Sequence, residues 1–192
     1  MKKILKFPLA AMALLAVVSC KEVKKEATDA ATEAEEVKEE TMAQNITFMM
    51  EPKSDSKVKG EVSFTDENGT IIMTGTFSGL SEGEHAIHLH ETADCSSDDG
   101  KSTGGHWNPT NEPHGKWGDA TGYHKGDIGN FTADAEGNAT VAFSTDQWCI
   151  GCEDDNKNIL AKAVIVHQGV DDFTSQPSGD AGARISCTGV IQ

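Results

Sequence analysis

All seven histidines of this 192-residue chain fall between His85 and His167, in spacings that suit a pair of metal ions. Side chains at i and i+2 of a strand point to the same face, so His88 and His90 of Ile87-His88-Leu89-His90 can grip one ion together. A second group follows in a stretch rich in Gly, Pro and Asn: His106, His114 and His124, with Asp127 three residues on. Three imidazoles and a carboxylate form a ligand set that zinc accepts as a closed tetrahedral site. His167 stands at the end of the apolar run 161–166.

Around these ligands the chain carries almost no helical periodicity. Short alternating or apolar runs separated by turn chemistry mark eight strands, at 45–52, 58–66, 70–78, 84–90, 128–134, 138–144, 161–166 and 184–191. Asp66-Glu67-Asn68-Gly69 supplies a hairpin turn, its Asn-Gly pair suited to positive φ. Eight strands at this spacing predict an all-β domain, an antiparallel sandwich or flattened barrel. Two connections, 91–125 and 168–183, are too long for plain turns, and loops of that length in a small domain are usually functional.

The N-terminus reads as an export signal: residues 1–6 are basic and 7–18 apolar, well short of the roughly 20 residues a membrane-spanning helix needs. The stretch ends in Val17-Val18-Ser19-Cys20, which resembles a bacterial lipobox, and the Lys/Glu/Ala/Thr run that follows has little to bury. The expected organisation is a signal peptide at 1–19, a lipidated Cys20 heading a disordered charged tether at 20–44, and one domain at 45–192. That chain is exported, to the periplasm or the cell surface, and anchored to a membrane through its lipid. The formal net charge is −15, most of it in the domain, which excludes nucleic acid as a partner because phosphate binding needs a basic face.

Several stretches, in order, resemble the Cu/Zn superoxide dismutases of the exported bacterial kind. They are residues 84–91 (Glu-His-Ala-Ile-His-Leu-His-Glu), Gly104-Gly105-His106-Trp107-Asn108-Pro109, His114-Gly115, His124-Lys125-Gly126-Asp127, Val166-His167, Asp171-Asp172, and the run from Pro177 to Cys187. The resemblance implies a Greek-key barrel holding one copper and one zinc per chain, acting on superoxide. It implies His88, His90, His106 and His167 as copper ligands and His106, His114, His124 and Asp127 as zinc ligands, with His106 bridging the two ions. His85 is then a structural residue bonded to backbone. Asp171, rather than Asp172, is implied as the carboxylate that joins one copper ligand to one zinc ligand. Arg184, the only arginine in the chain, resembles the arginine that docks superoxide, and its always-charged guanidinium suits an anion. Cys95 and Cys187 match the family's disulfide, a bond suited to an exported protein.

Cys149 and Cys152 have no counterpart in that resemblance; a local disulfide, an extra metal site and a thiol relay all remain open for them. Steering an anion toward so acidic a domain needs local positive charge, for which Lys101, Lys116 and Lys125 are the candidates. A copper or zinc buffer protein on the same fold is the competing reading; it needs the histidines but has no use for Arg184. The oligomeric state stays open between monomer and homodimer, with Trp117 and Trp148 either facing a partner or covering the core.

Overall fold

The computed structural model describes residues 44–192, so the expected signal peptide, Cys20 and all of the expected tether but Gln44 lie outside it. Eight strands fill the described region: β1 (Asn45–Pro52), β2 (Lys59–Glu67), β3 (Thr70–Ser78), β4 (Gly83–His90), β5 (Gly129–Ala133), β6 (Ala139–Thr145), β7 (Ala163–His167) and β8 (Arg184–Gly189). All pairings are antiparallel, in the order β5-β4-β7-β8-β1-β2-β3-β6. The two ends of that order, β5 and β6, lie against each other, which rolls the sheet into a nearly closed barrel. Helix among the described residues is limited to one 3-10 turn at Lys101–Thr103. β1 joins the two halves: its first six residues pair with β2, and Glu51 and Pro52 then pair with Cys187 and Ser186 of β8. The connections from β3 to β4 and from β6 to β7 cross between those halves, the Greek-key arrangement.

Alternation explains most of the strands. In β3, Ile71, Met73, Gly75 and Phe77 face inward and the residues between them face out. Val62, Phe64, Ile87, Leu89, Val164, Val166 and Ile159 complete a core without solvent contact. Trp148 is buried in that core, and Trp117 packs on its edge against Phe143 and Trp148, so both tryptophans cover the core. β4 and β7 break the half-buried pattern because long loops cover their outer faces. Ile87 and Leu89 point into the core, which sends His88 and His90 to the other face, under those loops.

The strand boundaries shift by a residue or two where the backbone demands it. β7 starts at Ala163 rather than 161 because Ala161 has φ +64°, a left-handed conformation that a strand cannot hold. Its end moves correspondingly, and His167 belongs to the strand.

Two disulfides close the fold. Cys95–Cys187 ties the first long loop to β8 across 92 residues, and Cys149–Cys152 closes a small ring in the β6–β7 connection. In the chain-entropy account, replacing Cys95 and Cys187 by serine should cost about 4–5 kcal/mol, against about 2 kcal/mol for the Cys149/Cys152 pair. Denaturant unfolding of the two double variants checks the order, and an equal loss in both contradicts it.

Candidate metal centre

Seven side chains form two groups of four that share His106: His88, His90, His106 and His167, then His106, His114, His124 and Asp127. Within each group the ligand-type atoms lie within 4.8 Å of one another, and every residue is buried. The first group rests on strands. β4 pairs with β7, placing His88 opposite Ile165 and His90 opposite Ala163, and His167 ends β7 on the same outer face. His106 is drawn in by a narrow ladder: Trp107 N–H donates to Leu89 O (2.8 Å), and Gly126 N–H donates to Trp107 O (2.9 Å). A Cβ on Gly126 would sit 2.2 Å from Leu89 O, so only glycine allows this approach.

Hydrogen bonds on the outer ring nitrogens fix which inner nitrogens carry lone pairs. His90 Nδ1 donates to Gly104 O (3.1 Å) and His167 Nδ1 to Gly182 O (3.4 Å). His88 Nε2 donates to Asp171 Oδ2 (2.8 Å). The lone pairs of His90 Nε2 and His167 Nε2 then face each other at 3.4 Å, and His88 Nδ1 and His106 Nε2 are buried without any partner. In the second group Asp127 receives three imidazole Nδ1 atoms, His106 at 2.8 Å, His114 at 3.0 Å and His124 at 3.2 Å. Only His106 makes a well-aligned hydrogen bond; the Nδ1 atoms of His114 and His124 are near enough but wrongly directed, and count as unpaired. An unpaired buried polar atom costs about 1–3 kcal/mol, and a cation at each focus satisfies all of them together. The donors therefore fit two metal ions, one held by four imidazoles and one by three imidazoles and a carboxylate.

Charge follows the same geometry. Burial, with the neighbouring imidazoles and Arg184, pushes His90 and His167 well below the ordinary histidine range. Burial and His88 also lower His106, against the pull of Asp127, to about 4. Burial pulls His114 down too, but the carboxylates of Asp127 and Asp171, 3.0 and 2.9 Å from its two ring nitrogens, outweigh it and raise His114 to about 9. Burial alone would raise both carboxyls. Instead their histidine partners (for Asp127, His106 foremost; for Asp171, His114) hold them below the usual carboxylate range.

Asp171 joins the groups, with Oδ1 on His114 Nε2 (2.9 Å) and Oδ2 on His88 Nε2 (2.8 Å). Neighbouring Asp172 caps its own turn at Thr174 and Ser175. His85 is bonded to the backbone oxygens of His167 (3.0 Å) and Ser81 (2.9 Å). A cavity of about 590 Å³ opens over His90, His106 and His167, and Arg184 lines it. Arg184 Nη1 donates to Gly100 O and Thr103 Oγ1 (both 2.9 Å), contacts on the loop that Cys95–Cys187 ties down.

Of the three lysines expected to steer an anion, only Lys101 borders this cavity, and it pairs with Asp99 at 3.1 Å. Lys125 is instead turned to Gln147 Oε1, and Lys116 is exposed away from the lining. The mouth carries Glu91, Asp99 and Asp180 as well, so positive charge is concentrated at Arg184 and not spread over a lysine rim. Sequence reasoning missed Asn130 and Gln176, whose side chains bond to the backbone of Asp171 and His114. No motif marks a lone carboxamide for such a role.

The family model for copper/zinc superoxide dismutase (SODC) matches residues 58–191. The chain belongs to that family. A crystal structure of "the clock protein EA4" is 28% identical, with a TM-score of 0.67, and the match covers 79% of this chain and 97% of that one. A double mutant of a SOD-like protein from Bacillus subtilis is also 28% identical at TM-score 0.67, over 76% of this chain and 97% of the other. For a dismutase-family domain, the centre sets a specific acid response in the metal-free state. His90 and His167 have lowered folded values, so their contribution to stability is present above the unfolded value of 6.5 and lost as pH falls below it. Asp127 and Asp171 are likewise lowered, and their contribution fades below the unfolded value of 3.8. His114 runs the other way: its contribution is present below 6.5 and lost as pH rises through about 9. Thermal melts of the metal-free protein should therefore fall in midpoint between about pH 7 and about pH 5. A midpoint that holds or rises over that interval contradicts this assignment of charge.

Proposed function

We propose that the protein dismutates superoxide, two superoxide ions and two protons giving dioxygen and hydrogen peroxide. The observation that carries the reading is the pairing of the imidazole-lined cavity with Arg184 at its wall. His88, His90, His106 and His167 would hold copper, and His106, His114, His124 and Asp127 would hold zinc. Copper supplies the one-electron exchange with superoxide, and zinc the fixed positive charge.

The remaining work belongs to the chain. Arg184 draws the anion to the open side of the first group and orients it with its free donors, while Nη1 stays tied to Gly100 and Thr103. His106 presents Nδ1 to one group and Nε2 to the other, so it can take a proton at Nε2 and return it to the reduced anion. Asp171 keeps His88 and His114 in their tautomers, a role whose loss commonly changes metal affinity by about 10–100-fold.

The acidic mouth favours a second reading, a copper or zinc buffer on a dismutase fold, since Glu91, Asp99 and Asp180 attract cations. One assay separates the two. The protein loaded with copper and zinc should dismutate superoxide fast, and Arg184→Ala should lose about tenfold or more, one lost charge-assisted contact in the rate-limiting encounter, with unchanged metal content. Full loading with negligible turnover leaves the buffer. We further propose that the chain is exported, which the disulfides support, and lipid-anchored through Cys20, which rests on the lipobox-like Val17-Val18-Ser19-Cys20. Cys20→Ser should then leave the membrane fraction for the soluble one, and unchanged partitioning rules the anchor out.

A further inference from the structure

Two carboxamide side chains grip the peptide groups of site residues with both of their polar ends. Asn130 Oδ1 accepts from Asp171 N–H (2.9 Å) and its Nδ2 donates to Asp171 O (2.8 Å). Asn130 lies on β5, so this clamp fixes Asp171 to the barrel. Gln176 Oε1 accepts from His114 N–H (2.9 Å) and its Nε2 donates to His114 O (2.9 Å). This second clamp touches no strand. It joins the β7–β8 connection, which carries Asp171, to the β4–β5 connection, which carries His114.

Nothing else secures the His114 peptide in this way: neither its N–H nor its C=O makes a backbone–backbone hydrogen bond among the described residues. The loop that presents Gln176, by contrast, holds its own shape. Asp172 caps Thr174 and Ser175, Asp172 N–H donates to Gly179 O (3.0 Å), and Gly179 N–H donates to Ser175 O (2.7 Å). Gly179 in turn seats against Asp171 so closely that a Cβ there would lie 1.8 Å from Oδ1. Removing the Gln176 amide thus frees His114 and takes from the loop itself only a long contact from Nε2 to Thr174 O (3.4 Å), leaving the Asp172 and Gly179 bonds that shape it.

The ring of His114 must satisfy two demands at once. Its Nδ1 lies 3.0 Å from Asp127 Oδ2 and its Nε2 lies 2.9 Å from Asp171 Oδ1. A ring spanning two fixed carboxylates tolerates little rotation of the peptide that carries it. We propose that Gln176 is a positioning residue for the three-imidazole, one-carboxylate group, setting the His114 peptide so that the ion held there is retained. The link from that group to His88 and the four-imidazole group is made separately, by the Asp171 carboxylate. The inference rests on the metal-centre reading above and names a residue that governs one of its two ions.

The test uses the full-length protein loaded with copper and zinc. Zinc release to a chromophoric chelator is followed well below the melting temperature. Gln176→Ala should release zinc about tenfold faster, the lower end of what losing a partner of a ligand does. Gln176→Glu, which keeps an acceptor for His114 N–H but loses the donor to His114 O, should fall between. Copper retention should change by less than about threefold in both, because His88, His90 and His167 rest on strands. Ser175→Ala, which removes a hydroxyl bonded only to Asp172, is the control and should release zinc at the wild-type rate. Wild-type release from Gln176→Ala, or equal acceleration in all three variants, overturns the inference. A wild-type protein that takes up no zinc defeats the functional reading instead. The clamp is then read from the His114 amide in the metal-free protein, whose hydrogen exchange must speed up in Gln176→Ala; unchanged exchange overturns the clamp itself.

Discussion

Four imidazole nitrogens, on His88, His106, His114 and His124, are sealed from water with no hydrogen-bond partner, and the rest of the domain is organised around them. Such atoms are costly to bury, and a chain that buries them side by side gains stability when something of opposite character sits at their focus. The acidic partners present cannot serve: Asp127 already receives His106 along a good line and is merely near His114 and His124. Two cations would resolve the conflict at both foci. Membership of the Cu/Zn superoxide dismutase family and the chemistry of the unpaired atoms thus lead to the same place by separate routes.

Rigidity around the centre comes from a chain of ties running outward. β4 and β7 fix His88, His90 and His167; Asp171 links His88 to His114; and Asn130 and Gln176 hold the peptides of Asp171 and His114. On the side of the cavity, Cys95–Cys187 holds the loop whose Gly100 and Thr103 orient Arg184. The long loops are therefore irregular in backbone but fixed in place, which a buried, preorganised site requires.

Much of this was legible beforehand because it follows short-range rules. Alternation located β1 and β3 to the residue, and the i, i+2 rule put His88 and His90 on one face. The loops were legible only as lengths. Which lysines border the cavity depends on how the first long loop folds, and its turns leave Lys101 at the mouth while directing Lys125 toward Gln147. The clamps were invisible for a related reason: Gln176 and His114 are 62 residues apart, and nothing local to either announces the contact. The start of β7 was misjudged because alanine does not advertise the left-handed conformation that Ala161 adopts.

The central claim is that two different ions occupy two adjoining foci. Anomalous diffraction from crystals of the metal-loaded protein, recorded at the copper and zinc edges, addresses it directly. The account predicts one copper peak in ligand contact with His88 Nδ1, His90 Nε2, His106 Nε2 and His167 Nε2. A separate zinc peak should contact the Nδ1 atoms of His106, His114 and His124 together with Asp127. A loaded, folded protein with either focus empty or filled only by water would contradict it, as would metal bound anywhere else.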